Sequence, residues 1–312
     1  MISAQGITKR FGSLLAVDDV GFEVGTGDVI GFIGPNGAGK STTMRILTGY
    51  LPATEGRAVI AGHDVFEDPM SVRRVVGYLP ETPPLYKELT IGDYLHFVAD
   101  IREVPRKDIS RRVGAVMEQV GLSGWESRIL GSLSKGYRQR VGLAQAVIHD
   151  PKVLILDEPT SGLDPGQVAG IRDFIQNLAS DRTVILSTHI LAEVERLCPR
   201  VIMIAKGRIV ADGKMDEVRM RAGGGIRYRV ELSAPGTAPE ALATAVGGLS
   251  QVDQVRPQGE ADGFRVLELR AGDDPRTAVA ALATEQGWGV RAMEKVVPRL
   301  EEAFLAITGT EA

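Results

Sequence analysis

The run Gly34-Pro35-Asn36-Gly37-Ala38-Gly39-Lys40-Ser41 constrains this chain more than any other stretch. It fits the spacing G-x-x-x-x-G-K-[ST], follows a predicted strand (Asp28–Ile33) and opens a predicted helix (Gly39–Gly49), the context that gives the spacing meaning. There the glycines let successive backbone N–H groups turn toward a phosphate chain, and the helix N-terminus adds its positive dipole end. Lys40 is placed to reach β- and γ-phosphates and the Ser41 hydroxyl to ligate Mg²⁺, so residues Gly34–Thr42, with Thr42 closing the loop, are the expected ATP-binding loop. A chance match at average composition is on the order of one per cent for a chain this long.

The same alternation continues downstream. Strands are predicted at Val76–Leu79, Val153–Leu156, Thr183–Leu186 and Val201–Ile204. Helices are predicted at Ile91–Arg102, Arg106–Gly121, Gly136–His149, Gly166–Ala179 and Leu191–Leu197. Strands separated by helices predict an α/β domain with a mostly parallel, buried sheet. Gly223-Gly224-Gly225 interrupts the pattern and reads as a flexible hinge. Beyond it the predicted order is strand Arg227–Leu232, helix Pro239–Val246 and strand Gln251–Arg256, then strand Phe264–Arg270, helix Pro275–Glu285 and strand Val290–Lys295. That β-α-β-β-α-β order is the ferredoxin-like α+β arrangement, followed by one more helix at Pro298–Ile307.

Composition narrows the classes. With 44% hydrophobic and 24% charged residues and a mean hydropathy of +0.01, the chain is of ordinary globular type. No apolar run approaches the ~18 residues of a membrane span, and no secretory signal is expected from the first residues. Cys198, the single cysteine, excludes an intrachain disulfide and fits a reducing compartment. From Ile226 onward 9 Lys+Arg face 13 Asp+Glu; of the 36 and 40 in the whole chain this leaves 27 against 27, so neither part is basic. Sequence-independent nucleic-acid binding is not expected.

Val153-Leu154-Ile155-Leu156-Asp157-Glu158 is an apolar strand ending in two carboxylates. Side chains alternate along a strand, so the two acids face apart and can hold different jobs. Asp157 is placed for the magnesium shell and Glu158 to polarise an attacking water. Upstream lies Leu133-Ser134-Lys135-Gly136-Tyr137-Arg138-Gln139, which resembles the signature motif of ABC ATPases.

That resemblance implies a P-loop ABC ATPase domain over residues 1–222, with a helical subdomain at about 85–150. A C-terminal domain at 226–312 would serve regulation or dimerisation. The resemblance also implies that Ser134 and Gly136 contact the γ-phosphate held by a partner subunit. Asp164, in Ser161-Gly162-Leu163-Asp164, would link the two sites. His189 resembles the switch histidine that hydrogen-bonds the γ-phosphate, which makes Lys40, Glu158 and His189 the expected catalytic set. Phe11 stands where the family stacks an aromatic on adenine, a core aromatic being the other reading. His63, His96 and His149 read as ordinary structural histidines.

Lys135 and Tyr137 replace the usual Gly and Gln of the signature. Glu81, in Gly77-Tyr78-Leu79-Pro80-Glu81, replaces the usual Gln beside Mg²⁺, leaving direct metal contact open. The stretch from Tyr78 to Tyr86 and the segment from Pro298 to Leu305 resemble the exporter branch of gliding-motility, multidrug and nitrous-oxide-reductase maturation ATPases. The expectation is an ATP-hydrolysing subunit that pairs as a homodimer or heterodimer and drives a separate transmembrane permease from the cytoplasmic side. An importer ATPase, or a relative acting in translation or DNA maintenance, is the alternative. A single cassette and the lack of a long coiled coil weigh against the last two.

Overall fold

The computed structural model describes residues 1–222 and 226–309, so the tri-glycine hinge lies outside the described residues. The chain separates into two units, Met1–Met215 and Asp216 onward.

In the first unit, β-branched runs with no polar interruption form strands that can be buried on both faces. They build a six-stranded sheet in the order Arg208–Lys214, Arg200–Ala205, Val29–Ile33, Thr183–Thr188, Val153–Asp157, Val76–Leu79. All neighbours are parallel except the first pair, which is antiparallel. A second, antiparallel sheet runs Leu14–Val24, Ile2–Phe11, Glu55–Ile60, His63–Asp64. Between the sheets lies one apolar core that includes Val17, Phe22, Phe32, Met44, Ile60 and Ile155. Helix Lys40–Leu47 contributes to it through Met44, Ile46 and Leu47.

The antiparallel sheet, helix Pro69–Val75 and edge strand Arg208–Lys214 are absent from the sequence expectation. Its first hairpin carries register shifts at Ala4/Ile7, Ile7/Lys9 and Lys9/Arg10. Gly6 and Asp19 beside them take φ of 59° and 50°. Each bulge adds a residue and breaks the two-residue alternation that a sequence reader looks for.

Three helices, Ile91–Ile101, Ile109–Gln119 and Lys135–Val147, pack on one another as the helical subdomain. Thr90 caps the first by accepting from Asp93 N at 3.1 Å. No helix among the described residues is long and apolar enough to cross a membrane.

The second unit has an antiparallel sheet ordered Val252–Ala261, Phe264–Ala271, Arg227–Ser233, Gly289–Val296. Helices Pro239–Gly247 and Arg276–Glu285 bury Leu242, Val246, Val279 and Ala283 with Tyr228, Val230, Leu232, Leu267 and Leu269 of the sheet. This is the ferredoxin-like arrangement, followed by helix Leu300–Thr308.

Candidate functional site

Parallel register brings the ends of neighbouring strands to one edge: Ile33 pairs with Thr188, Asp157 with Ser187 and Leu79 with Leu156. The phosphate loop, His189, Glu158 and the Glu81 loop therefore leave the sheet side by side. Open parallel sheets bind ligands at this carboxyl edge.

Within the loop, Gly37 and Gly39 adopt left-handed φ of 77° and 106°. A Cβ on Gly39 would stand 2.7 Å from the Ala16 carbonyl oxygen, so neither the conformation nor the space admits a side chain. Lys40 is 6% exposed, and its Nζ donates to Gly34 O at 2.8 Å and Pro35 O at 3.3 Å. Those carbonyls are weaker acceptors than an anionic oxygen, so the ammonium is held ready for one. Burial lowers the Lys40 pKa, against the opposing pull of the Glu158, Asp157 and Glu81 charges.

Asp157 is 1% exposed, and its Oδ1 has no hydrogen-bond partner. Burial raises its pKa, while the hydroxyls of Ser187 and Ser41 act in the opposite direction. Glu158 turns out of the strand at φ 50°, a left-handed conformation that costs an L-residue about 1 kcal/mol. Its N–H donates to Ser187 O at 2.8 Å. Its carboxylate lies 2.8 Å from His189 Nδ1, accepts from Thr188 Oγ1 at 3.3 Å, and stands 3.9 Å from Lys40 Nζ. Strain of this kind persists where surrounding contacts impose it, and here they aim one carboxylate at a lysine and a histidine together.

Glu81 is exposed just past strand Val76–Leu79, near enough for its charge to act on both Lys40 and Asp157. One ammonium thus faces three carboxylates. Among the described residues no three His, Cys, Asp or Glu side chains form a metal cage.

Ser134, Gly136 and Asp164 form a second group. Ser134 is exposed at the N-cap of helix Lys135–Val147, with no side-chain capping bond and no acid in the helix's first turn. Gly136 is buried beside Gln167. Asp164 caps helix Pro165–Ala179 by accepting from Gln167 N at 3.0 Å, a structural duty the sequence reading does not assign to it. Among the described residues, no hydrogen bond or ion pair joins this group to Lys40, Asp157 or Glu158. Phe11 stands 47% exposed with Lys9 Nζ 5.3 Å from its ring centroid.

Thr188 is a site residue the sequence reading misses. Its hydroxyl joins Glu158 and accepts from Ile190 N at 3.0 Å, fixing the turn that carries His189. Its place directly before His189 at a strand end is the signal that would find it.

A cavity of ≈490 Å³ lies beside the Glu81 loop, lined among others by Arg45, Tyr50, Arg73, Tyr78, Pro80 and Arg102. Tyr50 is exposed in its wall, and two residues beyond Pro84, which also lines it, Tyr86 meets Phe97 edge to face at 5.6 Å, both rings exposed.

The family model described as "ABC transporter" matches residues 17–161. The bacitracin transport ATP-binding protein BcrA of Bacillus licheniformis is 37% identical over 223 residues, 71% of this chain and 72% of the relative. The linearmycin resistance ATP-binding protein LnrL of Bacillus subtilis (strain 168) is 29% identical over 316 residues, 99% of this chain and 98% of the relative. A solved ATP-binding subunit of an ABC transporter superposes with a TM-score of 0.67 at 31% identity, covering 72% of this chain and 93% of its own.

Proposed function

Because this chain belongs to the family of ABC transporter ATP-binding proteins and is an ATP-binding, ATP-hydrolysing subunit, we propose that it powers an exporter whose membrane-spanning permease is a separate polypeptide. The observation that carries the catalytic part is the linked set Lys40–Glu158–His189 beside the phosphate loop.

In this reading the loop N–H groups and Lys40 grip the β- and γ-phosphates. Glu158 orients the attacking water and draws its proton, and His189 leaves Glu158 to hydrogen-bond the γ-phosphate. Phe11 stacks on the adenine. The Ser41 hydroxyl and the unpartnered Oδ1 of buried Asp157 fit Mg²⁺, which takes few protein ligands and keeps phosphate and water oxygens. Mg²⁺ supplies charge neutralisation on the transferring phosphoryl group. Glu81 acts on that centre through its charge.

Ser134, Gly136 and Asp164 serve the nucleotide of a second ATPase subunit, identical or not, in a head-to-tail dimer. That no hydrogen bond or ion pair among the described residues ties them to Lys40, Asp157 or Glu158 supports this. The permease docks beside the Glu81 loop on the exposed rings of Tyr86 and Phe97, which offer apolar contact, and not in the cavity that Phe11 lines. The ATPase thereby works at the cytoplasmic face of the membrane. Names of relatives that speak of bacitracin transport and linearmycin resistance support outward transport. Residues 1–222 form the nucleotide-binding domain, and residues 226–312 regulate or stabilise the dimer.

Affinity purification of the full chain from detergent-solubilised membranes tests the coupling. A copurifying protein with membrane-spanning helices is expected. A monodisperse complex with ribosomes or DNA, and no membrane protein, would overturn the exporter reading.

A further inference from the structure

One buried carboxylate near the site has no part in the chemistry above. Glu193, in helix Leu191–Leu197, is 8% exposed and accepts from Thr160 Oγ1 at 2.6 Å; Thr160 is 3% exposed. The charges of Glu158, His189 and Arg172 all reach Glu193. Holding a carboxylate inside a protein is costly unless it is hydrogen-bonded, and an apolar pair of similar shape fills such space at least as well. Packing therefore does not account for this pair.

Its place in the chain does. Thr160 sits two residues beyond Glu158, in consecutive turns closed by Ser161 N to Glu158 O at 3.2 Å and Leu163 N to Thr160 O at 3.2 Å. Those turns lead into Ser161–Asp164. Glu193 sits one helical turn beyond His189. The adjacent Val194 presses on the strand that feeds the phosphate loop: a Cβ on Gly31 would meet Val194 Cγ1 at 2.2 Å. The short helix after His189 is thus pinned at two points, through Val194 to the phosphate-loop strand and through Glu193 to the loop after Glu158.

We propose that Glu193 is a positioning residue that straps the His189 segment to the Ser161–Asp164 loop, so that movement of His189 at one nucleotide is passed to the loop facing the other. The inference rests on the reading of Ser161–Asp164 as the segment between paired sites. When His189 moves from Glu158 to the γ-phosphate, the helix behind it can shift only by carrying Thr160 along. The strap therefore bears on turnover and on cooperativity between sites, not on nucleotide affinity.

The test uses the full-length protein and three variants: Thr160→Ser, Thr160→Val, and Thr160→Val combined with Glu193→Leu. Steady-state hydrolysis gives kcat, KM and the Hill coefficient, and thermal melting reports the fold. Thr160→Ser keeps the hydroxyl and is expected at wild-type turnover. Thr160→Val is expected to lose about tenfold in kcat with KM nearly unchanged, as for a misplaced catalytic group, and its Hill coefficient falls toward 1. The double variant replaces both partners by apolar groups, so it recovers the melting temperature but not kcat or cooperativity. Full recovery of kcat in the double variant, or equal turnover in the Ser and Val variants, would overturn the strap. Failure of the catalytic reading shows elsewhere, as wild-type turnover in Glu158→Gln.

Discussion

The two groups of candidate residues in the nucleotide-binding unit are built in opposite ways. Around the phosphate loop three charged groups are buried and aimed: Lys40, Asp157 and Glu158 are 6%, 1% and 5% exposed, Glu158 is held in a strained backbone conformation, and its partner His189 reaches solvent. At the N-terminus of helix Lys135–Val147 little is committed, since Ser134 is exposed and caps nothing. Charges that act during a reaction work best when desolvated and fixed beforehand. A surface that must meet another subunit and part from it each cycle must stay solvated and easily uncovered. The contrast teaches that one group is finished within the chain, while the other is left open in the way the proposed contact with a partner's nucleotide requires.

The strongest way to break this division is Glu158→Gln. Turnover measured by phosphate release is expected to fall at least ~10²-fold, because the carboxylate proposed to draw the proton from water is gone. Nucleotide binding by titration stays, and ATP traps the closed dimer on size exclusion. Near-normal turnover would remove Glu158 from the chemistry.

Next comes complementation. Lys40→Ala disables the buried half and Ser134→Ala the open half, so each variant alone is expected to be nearly inactive. In a mixed dimer one composite site carries both lesions and the other carries none. An equal mixture should recover at most about a quarter of wild-type activity, since half the dimers are mixed, each has one intact site, and coupling to the dead site can only lower its turnover. No recovery would mean that both halves serve one nucleotide within one chain, or that the working partner is a different protein.

A smaller effect is expected from Gly136→Ala. The added Cβ would stand 2.1 Å from Gln167 Oε1, the far end of a flexible side chain that can swing away. The fold should survive, and melting checks this. Turnover should fall about tenfold, because the methyl crowds the helix end proposed to approach the partner's phosphate. Unchanged turnover in a folded variant would show that this helix end is not the contacting surface.

How much of this was legible follows from what each part is made of. The loop, Asp157, Glu158 and His189 declare themselves because their spacing and strand-end placement are set by local backbone geometry. The ferredoxin-like order of the second unit was readable for the same reason, from uninterrupted strands and helices between clear breaks. The antiparallel sheet was not, because its bulges at Gly6 and Asp19 scramble the alternation. The Thr160–Glu193 strap was illegible because a hydrogen bond across 33 residues leaves no mark in local pattern, whereas Thr188 could be found only from its place before His189 at a strand end. Asp164 shows the converse, a residue read for a role between sites that also caps its helix.

The subtlest prediction concerns the closed end of the signature helix. Past its C-terminus, His149 Nε2 lies 3.1 Å from Val76 O, on the strand beside Val153–Asp157, and its Nδ1 is buried without a partner. Burial, helped by the charges of Arg102 and Arg112, pushes its pKa down from 6.5 to about 4. The neutral ring is therefore the one that fits. A base whose folded pKa is depressed gives full stability above its unfolded value and loses it as pH falls toward the folded value. Between pH 6.5 and about 4, wild type should lose stability faster than His149→Gln, by about 1 kcal/mol at about pH 5.5. Urea unfolding across that range reads the difference, and parallel curves would show that His149 stays solvated. A diverging pair would locate the helix's anchor at the sheet, leaving the Ser134 end as the part free to meet a partner.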